Sequence, residues 1–107
     1  MRKQFDVYRN PSIATRDTLP YYMIVQDDCY NDLSTRVIIP LMRNHKLPLW
    51  HSHLAPKINI DFETLLIYSP MVTNLNTAKI SNKDYVCNLR GARQDVIAAM
   101  DCLLTNT

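Results

Sequence analysis

Asp27, Asp28 and Asp32 crowd one short stretch, DDCYND, which leads through Leu33 and Ser34 into the aliphatic run TRVIIPL. General acid–base chemistry needs one carboxylate with a raised pKa held beside a substrate. Adjacent aspartates between two strands also form turns, because their side chains satisfy nearby backbone groups. Turn chemistry accounts for the same residues, so no catalytic residue is assigned. His51 and His53 stand two apart in WHSHL. On a strand they would share a face and begin a metal site. Zinc sites normally show paired ligands, and here no second pair sits at a matching spacing, while Cys29, Cys87 and Cys102 are solitary. The reading is loop histidines beside a tryptophan, with no metal and no cofactor expected. Cys102 lies within a helix rather than at its N-terminus, a poor place for an activated thiolate. Arg36, just before VIIP, has two readings of equal weight. It is an edge arginine with its stem on the core and its head in water, or a contact to a phosphate or carboxylate.

Composition narrows the classes further. A chain of 107 residues has the size of one domain, 1–107, with one modest core. The hydrophobic fraction of 47% and charged fraction of 21% are ordinary for a globular protein. Twelve basic residues against 10 acidic ones leave a net charge of +2, too balanced to imply nucleic-acid binding by charge. No run approaches the roughly 20 apolar residues of a membrane helix, and MRKQFDVYRN is not a secretory signal. The odd, scattered cysteines point to a reduced, cytoplasmic setting. A single glycine, Gly91, excludes a glycine-rich phosphate loop.

The elements that must position these residues read as short strands followed by one helix. KQFDVYRN alternates as a strand, residues 11–20 form a loop bounded by prolines, and YYMIVQ (21–26) is a second strand. Residues 27–34 connect it to a third strand, 35–41, with Pro40 expected at its end or on an edge because proline cannot donate to a ladder. Residues 42–56 form a long loop carrying Trp50, which either anchors an interface or tucks the loop onto the barrel. KINIDF and TLLIYSP pair as a hairpin, and 76–80 is a further strand. In 88–104 the period changes. Leu89, Ala92, Val96, Ile97, Met100, Leu103 and Leu104 follow the three- and four-residue spacing of one helix face, with Asn88 as N-cap. This is a mainly β (α+β) layout, a small barrel with a C-terminal helix. Residue chemistry alone stops at a small cytoplasmic binding module.

The order of five segments resembles the CcdB family of bacterial toxins. These are QFDVY, Val25-Gln26-Asp27-Asp28, the strand Arg36 to Leu41, Pro56 to Ile60, and the terminal helix DVIAAMD. The resemblance covers nearly the whole chain. It implies an SH3-like barrel of the CcdB/MazF type and a homodimer, and it implies binding rather than catalysis. The expected target is the DNA gyrase A subunit, trapped on cleaved DNA. A CcdA-like antitoxin, disordered until it binds, is expected to neutralise the toxin. A two-fold toxin suits a two-fold cavity between gyrase arms. Neither direct nucleic-acid binding nor membrane association is implied.

Carried over by position, the gyrase-facing residues are Cys29, Tyr30, Asp101, Leu104, Thr105, Asn106 and Thr107. Cys29 and Tyr30 stand where the family has aliphatic residues, and the chain ends Thr-Asn-Thr where the family ends in glycine and isoleucine. A buried anchor is worth about 2–4 kcal/mol, so this tail implies gyrase binding weaker by roughly tenfold or more. The antitoxin-facing positions are Tyr8, Arg9, Asn10 and Trp50. Two other functions compete. A MazF- or Kid-like endoribonuclease would need a basic, partly aromatic RNA groove. A diverged dimer would bind antitoxin without arresting growth.

Overall fold

The computed structural model describes residues 2–43 and 53–105. Seven strands occur among them: β1 Asp6–Arg9, β2 Tyr21–Ile24, β3 Thr35–Arg43, β4 Lys57–Ile60, β5 Glu63–Ile67, β6 Thr73–Asn76 and β7 Tyr85–Asn88. One helix, α1 Arg93–Thr105, follows. The strands form one antiparallel sheet in the order β4-β5-β3-β2-β1-β7, with β6 added against β3. The sheet curls into a half-barrel, and the fold is a small SH3-like barrel with a C-terminal helix, as the sequence led us to expect.

The longest strand organises the curl. β3 pairs with β2 through Ile38–Leu41, while its other edge changes partner along its length. Thr35 to Ile38 face β6, and Leu41 to Arg43 face β5. Pro40 sits at the change. Its carbonyl accepts from the Tyr68 amide just beyond β5 (3.2 Å), so its missing N–H falls in the gap between the two partners. Pro40, expected at the strand's end or on an edge, is at neither: β3 is paired on both sides and runs on to Arg43.

Both faces of this sheet are covered. On the inner face Val7, Met23, Ile39, Leu41, Leu65 and Ile67 meet Ala92 and Val96 of the helix segment. On the outer face Tyr8, Tyr22, Ile24, Ile38 and Ile80 form a second cluster. The rings of Tyr8 and Tyr22 stack at 5.8 Å, and Tyr85 meets Tyr8 edge-on. A third group, Met42, Ala55 and Leu66, packs where residues 53–56 return to the sheet.

Two polar devices tie the ends of the barrel together. Asp6 is buried and accepts from the Lys3 amide (2.8 Å) and from Asn88 Nδ2 (2.9 Å). The same Asn88 amide donates to the Gln4 carbonyl (3.0 Å), so β7 is clamped to the N-terminal turn. That turn places Phe5 at φ 70°, a left-handed conformation that its buried ring and backbone bonds to Ile24 and Leu89 hold in place. The second device is Arg36. It is 6% exposed, and its guanidinium donates to the carbonyls of Asn31, Leu33 and Thr35 at 2.6–3.0 Å. Arg36 is thus neither a solvated edge residue nor an anion contact. It clamps the loop before its own strand.

Other expectations shift. β2 stops at Ile24. The strand expected at 76–80 lies earlier, at Thr73–Asn76. Asn76 then accepts from the Ala78 amide (2.8 Å), which turns the chain into a 3₁₀ turn. β7 has no counterpart in the sequence reading, because its few residues abut the helical period. Asn88 belongs to β7, its Oδ1 accepting from the Arg90 amide (3.0 Å), and the Arg90–Ala92 turn follows Leu89, so α1 begins only at Arg93. The β4–β5 hairpin is as expected and closes on Asp61 and Phe62, both at positive φ (50° and 67°).

Two outcomes test this description. Arg36→Lys cannot reproduce the fork to three carbonyls and should cost about 2–3 kcal/mol in urea unfolding; a loss under about 0.5 kcal/mol contradicts the clamp. Replacing Asp61-Phe62 by Asn-Gly removes left-handed strain from a two-residue hairpin turn. It should raise stability by about 1 kcal/mol, and an unchanged or lower denaturation midpoint would count against that turn geometry.

Candidate functional site

A groove of ≈ 380 Å³ runs between α1 and the adjoining ends of β2 and β3. Val25, Val37, Val96, Ile97 and Met100 give it apolar walls, and Gln4, Gln26, Arg93 and Asp101 form the polar rim. The helix explains why apolar groups remain open here. Its buried stripe is Val96 and Ala99, continuing from Ala92 of the turn before it, with Met100, Cys102 and Leu103 half-buried. Ile97 and Leu104 lie one position beyond that stripe, seven residues apart and so on one face. Ile97 is 39% exposed and Leu104 71%. The sequence spacing set both on one apolar face with Val96 and Met100; the structure splits that face, leaving these two open. Val37 is likewise exposed, between buried Arg36 and Ile38.

The acidic turn borders this groove. Residues Asp28–Tyr30 form a 3₁₀ turn capped by Asp27, whose Oδ1 accepts from the Cys29 amide (2.9 Å). Asp28 Oδ1 accepts from the Gln4 amide (2.7 Å). Two of the three carboxylates that could have done acid–base work are thus engaged by backbone. Gln26 Nε2 donates to the Tyr30 carbonyl (3.0 Å), and Gln26 Oε1 accepts from the Val37 amide (3.2 Å). Gln4 and Gln26 therefore connect the turn that carries exposed Cys29 and Tyr30 to the groove that Asp101 rims. Tyr30, at 55% exposure, and Leu33 extend the apolar surface beyond it.

Of the positions first linked to gyrase, Cys29, Tyr30, Asp101, Leu104 and Thr105 are exposed. Thr105 Oγ1 donates back to the Asp101 carbonyl (2.7 Å) in the last helical turn. Asn106 and Thr107 lie outside the described residues. Residues missed from sequence are Gln4, Gln26, Val37 and Ile97. The signal for Ile97 was present: a second apolar stripe through Ile97 and Leu104 remains once Ala92, Val96 and Ala99 are assigned to the core.

The positions first linked to antitoxin do not form one exposed set. Tyr8 is 2% exposed and belongs to the outer-face cluster, where its ring packs on Tyr22. Arg9 is exposed. Asn10 Nδ2 donates to Thr15 Oγ1 and the Leu19 carbonyl, and its Oδ1 accepts from the Ser12 amide, which makes it the organiser of the 10–20 loop. Trp50 and His51 lie outside the described residues, and His53 is exposed. No group of three or more potential metal ligands occurs among the described residues. No helix among them is long and apolar enough to cross a membrane.

Three groups have shifted proton affinities. Burial, reinforced by the charges of Asp84 and the neighbouring Tyr8, pushes the Tyr22 phenol up to about 12. Burial and the charge of Asp6 also raise Tyr8. Burial, then the charges of Asp61 and Asp6, raise the Cys87 thiol, which keeps it protonated and unreactive near neutrality.

A curled antiparallel half-barrel with one C-terminal helix and an open apolar groove beside it defines the class: a small-barrel protein of the SH3-like type. Within that class the chain belongs to the CcdB family. The family model described as CcdB protein matches residues 4–106. No curated protein matches the chain. Membership makes it a toxin of the toxin–antitoxin kind.

The raised Tyr22 pKa fixes a pH dependence. A phenol whose pKa is higher folded than unfolded adds stability that is complete below the unfolded value near 10 and lost as pH rises towards 12. Thermal midpoints should therefore fall between those values. Tyr22→Phe should flatten that fall and leave stability at pH 7 equal or higher, because the Tyr22 hydroxyl is buried with no hydrogen-bond partner among the described residues. An unchanged alkaline slope in the variant would remove Tyr22 as its source.

Proposed function

We propose that this protein is a gyrase poison. It binds the DNA gyrase A subunit as a homodimer, holds gyrase on cleaved DNA, and is neutralised by a CcdA-like antitoxin. Its action is by binding, with no catalytic step and no cofactor, and its setting is the cytoplasm, where its target works. The observation that carries this reading is the exposed apolar stripe of Ile97 and Leu104 with Asp101 at its rim, joined through Gln26 to the Tyr30 turn. Large exposed apolar groups ringed by polar ones mark surfaces that partners cover. The gyrase contacts assigned to it are Cys29, Tyr30, Asp101, Leu104 and the tail Thr105, Asn106 and Thr107. Threonine and asparagine bury less apolar area than the family's terminal residues, so Tyr30, Ile97 and Leu104 must supply most of the anchoring here.

Supercoiling by purified gyrase, scored for ATP-dependent accumulation of cleaved DNA, tests the proposal. The wild-type chain should accumulate cleaved DNA. Asp101→Lys, an exposed change that should leave the circular dichroism spectrum intact, should lower that accumulation about tenfold or more, the scale of a lost interface anchor. A folded wild-type dimer that leaves gyrase untouched at micromolar concentration would overturn the proposal, and cleavage of added RNA would put the endoribonuclease reading in its place.

A further inference from the structure

The N-terminal turn and the start of β7 enclose a polar pocket of ≈ 400 Å³, lined by Lys3, Asp6, Tyr8, Asn82 and Tyr85. It shares no residue with the helix groove. Its volume lies in the range of small-ligand sites, about 300–1,000 Å³. Local structure sets each lining group in place. The Lys3 amide donates to Asp6 Oδ2 (2.8 Å), and the Lys3 carbonyl accepts from the Asp6 amide (3.0 Å), so a closed turn holds Lys3 beside the carboxylate. Phe5 within that turn has φ 70°, and strain of this kind collects at binding sites. β7 carries a bulge: Val7 faces Cys87 but Tyr8 faces Tyr85, so Val86 is the extra residue. Bulges re-aim side chains, and this one leaves the Tyr85 ring edge-on to Tyr8 and 45% exposed. The 3₁₀ turn Asn82–Asp84 brings Asn82 to the rim.

We propose that this pocket binds a small zwitterion of the free α-amino-acid class, with its ammonium group on Asp6 and the Tyr85 ring and its carboxylate on Lys3. The two charges of the pocket carry the inference. Asp6 is 5% exposed. Its Oδ2 accepts from the Lys3 amide and its Oδ1 from Asn88 Nδ2, yet an ionised carboxylate has about four acceptor positions, so it can take a further donor. Lys3 is exposed, and its ammonium forms no ion pair among the described residues, with Asp6 or with any other carboxylate. A positive and a negative group therefore line one pocket without neutralising each other. A simple anion would meet the like charge of Asp6, and a simple cation that of Lys3. A ligand with separated poles satisfies both, through charge-assisted hydrogen bonds. The exposed Tyr85 ring offers a π face to the ammonium or to an aromatic side chain. The proposal stands independently of the gyrase reading.

Calorimetric titration of the full chain tests it with three probes. These are phenylalanine, N-acetylphenylalanine, which lacks the ammonium, and phenylalanine amide, which lacks the carboxylate. Phenylalanine should bind with a Kd on the order of 1 mM, the scale for a ligand of about a dozen heavy atoms, and should raise the thermal midpoint when in excess. Each truncated probe should bind about tenfold more weakly, the scale of one lost charged hydrogen bond. Lys3→Gln keeps the backbone turn and removes the cation. It should weaken phenylalanine to the level of its amide and leave the amide unchanged. Tyr85→Leu should weaken phenylalanine by about threefold to tenfold. Both residues are exposed, so the unliganded variants should melt as the wild type does, which separates a lost contact from a lost fold. No saturable binding of phenylalanine by the wild-type chain at about 20 mM, far above the expected Kd, overturns the proposal. So does binding of either truncated probe as tightly as phenylalanine, or a Lys3→Gln chain that still prefers phenylalanine to its amide.

Discussion

The change of partner along β3 is the constraint on which the rest of the structure depends. A nine-residue strand has one neighbour, β2, on one side and two in succession, β6 then β5, on the other. Pro40 stands where the second edge passes from β6 to β5 and offers no amide to either. An ordinary residue there would present a buried donor in need of an acceptor. With proline the gap is tolerated, the sheet can bend through it, and both faces of β3 acquire a core. The inner core takes the helix, and the outer cluster takes the aromatic stack of Tyr8, Tyr22 and Tyr85. Two openings on the surface border this strand, one beside Val37 and one beside Ile38 and Pro40.

Polar residues fix the ends that hydrophobic packing leaves loose. Arg36 holds three carbonyls of the 31–35 segment, while Asp6 and Asn88 join the first turn to the last strand. The Arg36 fork is held by backbone carbonyls, and Asp6 by the Lys3 amide and the Asn88 side chain, so each stabilises by geometry as much as by energy: a substituted partner leaves the other group short of a hydrogen bond. Gln4 and Gln26 do the same work closer to the surface, and they thereby set the Tyr30 turn beside the helix groove. The acidic stretch that first suggested catalysis is part of this scaffolding.

Much of this was legible in the residues. The β4–β5 hairpin showed in the alternation of Ile58 and Ile60 against Lys57 and Asn59, and the terminal helix showed in its spacing. Periodicity failed where short elements abut. Asn88 was read as the helix N-cap, but it ends β7, and its Oδ1 accepts from the Arg90 amide ahead of a 3₁₀ turn; Tyr85–Cys87 were assigned to no element. Residues 76–80 were read as a strand because a side chain that redirects the backbone, Asn76, leaves no hydrophobic signature. Burial was harder still. Tyr8 matched an exposed family position by order, yet its ring is locked in a stack that no linear pattern encodes. Ile97 and Leu104 passed for core residues because an apolar stripe broader than the surface beneath it looks the same in sequence whether or not the sheet covers it.

The central claim is that the groove beside the helix is the surface that meets the toxin's target. Hydrogen–deuterium exchange of the chain with and without a gyrase A fragment tests it most directly. The expected result is slowed exchange confined to residues 25–37 and 93–105, with the 9–21 and 73–84 segments unchanged. Protection concentrated in 9–21 and 73–84, with the helix and the Tyr30 turn exchanging as in the free protein, would contradict it.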